Sequence, residues 1–176
     1  MNFQDDEKII EDLLRSKGQN KDRAFVLIFK KYQSFVYDFG RTLGIPKSDI
    51  SDFVQEVFIK LYKHINKFNP NKKFFPWFYS IIRNQAYSFI KKVKRQKDSD
   101  LEIREYTTNP YEFSIETINL VREIISELPE KEREILFLRY YQELSVDEIS
   151  EILNCSKRNI YYIIDKAIEK IKRELK

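Results

Sequence analysis

The chain has 176 residues with a formal net charge of +4, and 42% of its residues are hydrophobic. This length suits one domain or two small ones, and the hydrophobic content excludes a wholly disordered chain. Its apolar runs fall short of the about 18 residues that a membrane helix needs, so no membrane insertion is expected. The polar N-terminus "MNFQDDEKII" lacks the pattern of a signal peptide.

Helical periodicity dominates the first half of the chain. Apolar residues recur at steps of three and four over 25–43, which predicts a helix that Gly44 ends. Ser48 is placed to cap a second helix over 50–65, and a third helical pattern follows the break at "NPNKK". Few glycines and prolines are available for turns, so we predict an all-α fold with a first domain at 1–95.

The second half begins with residues 96–113, "QKDSDLEIREYTTNPYEF", whose weak periodicity and polar composition predict a flexible linker. Periodicity resumes in 114–176, the predicted second domain. Ser145 and Glu148 have the spacing of a capping box, and the helix they start is expected to end near Leu153.

A helix-turn-helix is predicted at the end of the chain. Asn154 can adopt the left-handed conformation of a tight turn, and Ser156 can cap the last helix. An ordinary helical hairpin is the alternative. The polar face of the last helix could contact bases and phosphates in a major groove, or it could be merely solvated. It carries Arg158, Asn159, Tyr162 and Lys166.

A basic block extends from Lys60 to Lys97, with eleven lysines and arginines and no acidic residue. Such a block favours a polyanion as partner, although a solvated basic face is the simpler alternative. Within it, "KKFFPWFYSIIRNQ" contains five aromatic residues and the only tryptophan. Aromatic rings among cations suit an opened DNA strand, whose bases can stack on them. Each ring taken singly is more often core, so we expect Phe78 to be buried and Trp77 with one neighbour to be exposed.

The helix before this block has an acidic face. Asp49, Asp52 and Glu56 lie at steps of three and four, with Lys60 further along. Carboxylates repel DNA, so this face favours a basic protein partner over a merely solvated surface. A metal site there is not expected, because no histidine or ordered loop accompanies the carboxylates.

The inventory of reactive residues argues against an enzyme. His64 and Cys155 are the only histidine and cysteine, and they lie far apart in the sequence. Neither a glycine-rich phosphate loop nor metal-ligand spacing is present. We therefore expect no catalytic residues, no cofactor and no metal. A lone cysteine also excludes an internal disulfide and suits a reducing cytoplasm.

Three segments together resemble bacterial RNA polymerase sigma factors, in particular the extracytoplasmic-function (ECF) type of the sigma-70 family. "DFVQEVFIKLYKHINKF" is similar to the family's polymerase-binding helix, and "FFPWFYSIIRNQAYSFIKKVKRQ" to its promoter-melting segment. "ISELPEKEREILFLRYYQELSVDEISEILNCSKRNI" resembles its C-terminal domain. The resemblance covers about residues 20–176 with the motifs in the expected order.

The resemblance implies that the first domain binds the beta-prime clamp helices of core RNA polymerase and melts the minus-ten element. The second would bind the minus-thirty-five element as duplex and touch the beta flap, and an anti-sigma factor would be a further partner. The implied polymerase-binding residues are Asp49, Asp52, Phe53, Gln55, Glu56 and Lys60. Those for minus-ten DNA are Lys72, Lys73, Phe75, Trp77, Tyr79, Arg83 and Asn84. Those for minus-thirty-five DNA are Ser156, Lys157, Arg158, Asn159, Tyr162 and Lys166.

The chain departs from the family pattern in its last helix. Asn154 stands where glycine is common, and Tyr161, Tyr162, Ile163 and Asp165 stand where lysine and arginine are usual. Two rival functions therefore stay open. One is a helix-turn-helix regulator that binds DNA without polymerase, and the other is a sigma-like protein that acts only through protein contacts.

Overall fold

Helices make up the regular secondary structure of the computed structural model, which describes residues 6–16, 18–96 and 115–175. The first part contains α1 (Asp6–Arg15), α2 (Gln19–Leu43), α3 (Ile50–His64), a 3-10 turn (Ile65–Lys67) and α4 (Phe74–Gln96). The second contains α5 (Ile115–Glu127), α6 (Glu130–Leu136), a π-helical turn (Phe137–Tyr141), α7 (Val146–Leu153) and α8 (Lys157–Glu174). The predicted all-α class is confirmed, whereas the predicted linker lies outside the described residues apart from Gln96.

The end of α2 and its crossing with α3 both depend on glycine. Gly44 has a φ of 108°, and its N–H donates to the carbonyls of Gly40 and Arg41. This left-handed cap ends the helix where the sequence predicts it. A Cβ on Gly40 would lie 2.7 Å from side-chain carbons of both Ile50 and Phe53. The missing side chain therefore lets α3 pack closely against α2.

The start of α3 differs from the prediction. The helix begins at Ile50 with Asp49 rather than Ser48 at the N-cap, and no side chain caps it. Pro46 starts a turn in which the N–H of Asp49 donates to the Pro46 carbonyl. Asp49 consequently has helical dihedral angles, φ −106° and ψ −9°, instead of the extended conformation from which a side chain can cap.

The helix-turn-helix forms as its local signals predict. The hydroxyl of Ser145 accepts from the N–H of Glu148, whose carboxylate accepts in return from the N–H of Ser145. Asn154 ends α7 in the left-handed conformation, with φ 47° and ψ 52°. The hydroxyl of Ser156 then accepts from the N–H of Asn159 and caps α8.

The two domains pack against each other through aromatic residues. The ring of Phe137 lies 5.7 Å from that of Phe35 and 5.6 Å from that of Phe39, measured between centroids. Both α2 and α4 contact helices of the second domain, and buried residues of the two domains form one continuous apolar cluster. The sequence predicts two domains but not this docked arrangement.

Candidate nucleic-acid and partner interfaces

The aromatic segment at the start of α4 is mostly core. The helix begins at Phe74, three residues before the apolar pattern predicted from the sequence. Pro76 therefore lies in the first turn of the helix, where its missing N–H breaks no helical hydrogen bond. The side chains of Phe74, Phe75, Phe78 and Tyr79 are at most 6% exposed. Trp77 is half-buried, with its ring 5.1 Å from that of Phe68.

The low exposure of Phe78 confirms the prediction that this ring is buried. The low exposure of Phe75 and Tyr79 differs from the expectation that these two rings contact minus-ten DNA. Phe75 is 3% exposed and stacks on Tyr32, so it supports the helix and cannot present its ring to DNA. Tyr79 is fully buried among Phe35, Phe39 and Phe75. Of the five rings, Trp77 alone is more than 6% exposed.

The polar residues expected to hold DNA lie along α4 and the turn before it. Lys72, Lys73 and Asn84 are exposed, and the side chain of Arg83 is 38% exposed. The Lys73 ammonium lies 2.8 Å from the carboxylate of Glu151 on α7. Two of the proposed DNA-binding cations, Lys73 and Arg83, are therefore paired with carboxylates of the second domain.

The carboxylate that pairs with Arg83 belongs to Glu134 on α6. Its oxygens accept hydrogen bonds from Arg83 Nε at 2.6 Å, from the Tyr79 hydroxyl at 2.7 Å and from the Tyr87 hydroxyl at 2.9 Å. Glu134 is 0% exposed. Burial raises the pKa of Tyr79 well above its usual range, and the negative charge of Glu134 raises it further. Both tyrosines therefore stay protonated and act as donors.

Sequence reasoning missed this cluster, although one signal was present. Glu134 lies three and four residues before Phe137 and Leu138, which are both buried. A carboxylate on the apolar face of a helix is buried when that face packs, and its charge then needs a cation or hydrogen-bond donors as partners. The partners themselves lie more than forty residues earlier in the chain, so no local pattern identifies them.

The acidic face of α3 forms largely as predicted. Asp52, Gln55, Glu56 and Lys60 are exposed, and Asp49 is half-buried. Phe53 is the correction, because its side chain is 0% exposed and packs against Gly40 and Phe89. It therefore holds α3 in place and offers no surface to a partner.

An apolar groove of 820 Å³ lies beside this face, between α2 and α3. Its polar lining residues include Asp38, Gln55 and Lys63. Its apolar lining includes Phe25, Phe29, Val54, Phe58, Ile59 and Tyr62. The sequence did not reveal this groove, since its residues belong to two helices whose crossing is not encoded locally.

The helix-turn-helix presents a mixed surface. Arg158 and Tyr162 are exposed, the latter by 64%. Lys157 lies 2.7 Å from the carboxylate of Asp147, and Lys166 lies 2.9 Å from that of Glu132. The amide nitrogen of Asn159 is 3.0 Å from the sulfur of Cys155. The exposed residues among the predicted contacts therefore include three cations and one tyrosine. Two of the cations, Lys157 and Lys166, are already paired with carboxylates within the domain.

Within the part of the chain that the structure describes, no group of three or more His, Cys, Asp or Glu residues is placed to hold a metal ion. The described helices also include none that is long and apolar enough to cross a membrane. His64 is exposed on α3.

Two family models match the chain, one in each domain. Residues 28–96 match Sigma-70 region 2, and residues 118–171 match Sigma-70, region 4. The ECF RNA polymerase sigma factor SigM of Bacillus subtilis is 30% identical over 149 residues, which cover 82% of this chain and 91% of SigM. SigW of the same organism is 28% identical over 184 residues, covering 97% of this chain and 98% of SigW.

Solved structures share the fold. CnrH, solved in complex with the cytosolic domain of CnrY, superposes with a TM-score of 0.71 at 19% identity, covering 97% of this chain and 96% of CnrH. The sigma factor RpoE of Bartonella quintana, solved with the anti-sigma factor NepR, gives a TM-score of 0.66 at 20% identity. That match covers 86% of this chain and 96% of RpoE.

Proposed function

This chain belongs to the ECF sigma factors of RNA polymerase, and we propose how its two domains share the family's task of promoter-specific transcription initiation. The α3 face of the first domain binds the clamp helices of core polymerase. The α4 face binds the melted minus-ten strand. The second domain binds the minus-thirty-five duplex through α8 and contacts the beta flap. Members of this family are initiation factors rather than enzymes.

One observation carries the assignment of the first domain. Trp77, Arg83 and Asn84 lie on a helix whose neighbouring helix bears the exposed carboxylates of Asp52 and Glu56. A cationic, aromatic surface for DNA and an acidic surface for protein thus belong to the same domain. A helix-turn-helix regulator that works without polymerase has no need of this combination.

Three further points complete the proposal. The site of action is the cytoplasm, where core polymerase and promoter DNA are found. An anti-sigma factor is a candidate partner, because the similar RpoE of Bartonella quintana was solved in complex with one, NepR. The boundaries 1–95, 96–113 and 114–176 are proposed for the first domain, the linker and the second domain.

The experiment is transcription by purified core polymerase on fragmented DNA from the organism of origin, with and without this protein. Discrete new start sites that share upstream elements are the expected result. Core binding by gel filtration is measured in parallel. If the protein binds core polymerase but no new transcripts appear, the proposed promoter function is contradicted. If the protein does not bind core polymerase, the role of α3 is contradicted.

A second candidate function is favoured by the surface of α8. Lys157 and Lys166 are paired with Asp147 and Glu132, and the exposed Tyr161 and Tyr162 add no charge. Such a helix suits a sigma-like protein that works through protein contacts alone. In the same experiment this candidate predicts core binding without new transcripts.

A further inference from the structure

The outer face of α8 carries a row of four exposed side chains. The row consists of Arg158, Tyr161, Tyr162 and Asp165, and its two tyrosines are 56% and 64% exposed. These residues follow one another at steps of three and four, so they share one face of the helix. The opposite face of α8 packs against α5, α6 and α7. The row is therefore the part of α8 that a DNA groove can reach.

The spacing of the row is that of a helix that reads bases. Recognition helices of homeodomains contact base edges in the major groove from one residue and from those three, four and seven positions after it. The same steps lead from Arg158 to Asp165. In a helix-turn-helix the second helix enters the groove, and α8 is that helix here. Arg158 and Asp165 are thus the two ends of a reading face.

The lysines beside this row are engaged within the second domain. Lys157 pairs with Asp147 at 2.7 Å, and the Lys166 ammonium lies 2.9 Å from the carboxylate of Glu132. Among the residues that the structure describes, none forms a salt bridge with Asp165. The carboxylate of Asp165 therefore keeps its acceptor oxygens available to DNA.

A carboxylate in a DNA groove needs a hydrogen-bond donor. Phosphates repel it, and an ionised carboxylate can only accept hydrogen bonds. The major-groove edges of guanine and thymine present acceptor atoms, which leave the Asp165 carboxylate without a partner. Donors come from the N4 amino group of cytosine and the N6 amino group of adenine, and adenine places its N7 acceptor next to the donor. Cytosine is thus the base whose edge suits Asp165.

We propose that Asp165 selects a cytosine in the minus-thirty-five element by accepting a hydrogen bond from its N4 amino group. This inference rests on the proposed function, because it takes α8 to be the helix that enters the duplex. A charge-assisted hydrogen bond supplies the discrimination. The acidic residue at this position of α8 then sets a base preference, and it does not signify a loss of DNA binding.

The test is transcription by reconstituted holoenzyme from a barcoded library of promoter templates. Each position of the upstream element carries all four base pairs in turn, in a promoter found by the transcription experiment, while the minus-ten element stays fixed. Sequencing of the transcripts gives the relative yield for each base. With the unsubstituted protein, cytosine at one position should give a yield about fivefold or more above that of guanine or thymine.

Two substitutions of Asp165 separate a hydrogen bond from a general effect of charge. Asp165→Asn should move the preference at this position from cytosine to adenine, because a carboxamide both donates to N7 and accepts from N6 of adenine. Asp165→Ala should bring the four yields there to within about twofold of one another. A cytosine preference that survives in both variants overturns the proposal. So does the lack of any cytosine-preferring position with the unsubstituted protein.

Glu169→Gln is the matched control. Glu169 is exposed on the same helix, one turn beyond Asp165 and outside the row. It loses the same negative charge and should keep the cytosine preference. Loss of the preference in Glu169→Gln as well would overturn the proposal, since the charge of the helix would then explain both results. Ratios of yields between bases are compared within each variant, so they do not depend on the amount of holoenzyme formed.

The proposed function and this inference fail in different ways. If the unsubstituted protein produces no start sites, the proposed function is contradicted and the inference falls with it. If start sites appear but their yields are the same for every upstream base, the assignment of α8 to the minus-thirty-five element is contradicted. If the yields depend on upstream bases and the Asp165 variants leave every preference unchanged, the cytosine contact alone is overturned.

Discussion

The side-chain nitrogen of Gln85 on α4 donates a hydrogen bond to the carboxylate of Glu56 on α3. The oxygen of the same amide accepts from the ammonium of Lys60. Gln85 is only 4% exposed, whereas both of its partners are exposed. One buried amide therefore joins the proposed polymerase-binding face to the proposed strand-binding helix.

Gln85→Ala should lower the free energy of unfolding by about 1–2 kcal/mol, because two hydrogen bonds involving charged groups are lost. Urea denaturation of the full chain measures the change. Ser88→Ala, at an exposed position of the same helix, is the control and should stay close to the unsubstituted chain. A midpoint for Gln85→Ala that equals the control would show that the bridge does not stabilise the packing of α3 on α4.

Asp52→Lys should weaken the binding of core polymerase by about 1 kcal/mol or more, which is about fivefold, since close charge pairs at interfaces couple on that scale. Asp52 is exposed near the start of α3. Titration of labelled protein with core polymerase measures the affinity. Glu123→Lys applies the same charge reversal at an exposed position of α5. Equal affinities for the two variants would contradict the role of the acidic face.

Ser145→Ala should destabilise the chain by about 1 kcal/mol through loss of the helix cap. Hydrogen bonds from the N–H and hydroxyl of Ser145 hold the pKa of Glu148 below its ordinary value of 4.5. Because the pKa of Glu148 is lower in the folded state, its ionised form stabilises that state at pH values above the ordinary pKa. This stabilisation is lost as the pH falls through the lowered pKa. The difference between Ser145→Ala and the unsubstituted chain should therefore shrink on acidification.

Denaturation at pH 7 and at successively lower pH tests this prediction. Ser126→Ala is the control, because the Ser126 hydroxyl donates to a backbone carbonyl of its own helix at 2.8 Å. A Ser145→Ala difference that stays constant across the acidic range would show that the Ser145 hydroxyl does not stabilise the ionised Glu148.

The elements that could be predicted from the sequence are those with local causes. Gly44, Asn154 and the Ser145–Glu148 pair each act within four residues, and the structure confirms all three sites. The missed cap at Ser48 also has a local cause, since the turn that starts at Pro46 leaves Asp49 with helical dihedral angles.

The candidate site was predicted less completely, because exposure depends on contacts between distant segments. Phe53, Phe75 and Tyr79 belong to segments with the right family pattern, yet their side chains are buried. A helical period divides apolar from polar faces, but it does not tell which aromatic ring on the apolar side reaches the surface. Glu134 was missed for the same reason, since its donors lie on a helix of the other domain.

Trp77→Ala should reduce the yield of open promoter complexes while core binding stays intact. Stacking of a base on an aromatic ring contributes about 1–3 kcal/mol, which corresponds to a factor of between about 5 and about 150. Trp77→Phe keeps an aromatic surface and should retain most of the yield. The half-buried Trp77 also packs on Phe68, so the folded state of both variants is compared by thermal denaturation.

Permanganate reactivity of unpaired thymines, at a promoter found in the transcription experiment, tests the account most directly. Polymerase carrying the unsubstituted protein should make thymines reactive just upstream of the start site, and Trp77→Phe should preserve most of this signal. Trp77→Ala should lose most of it at equal core occupancy. The same reactivity with Trp77→Ala as with the unsubstituted chain would contradict the claim that this face of α4 holds the melted strand.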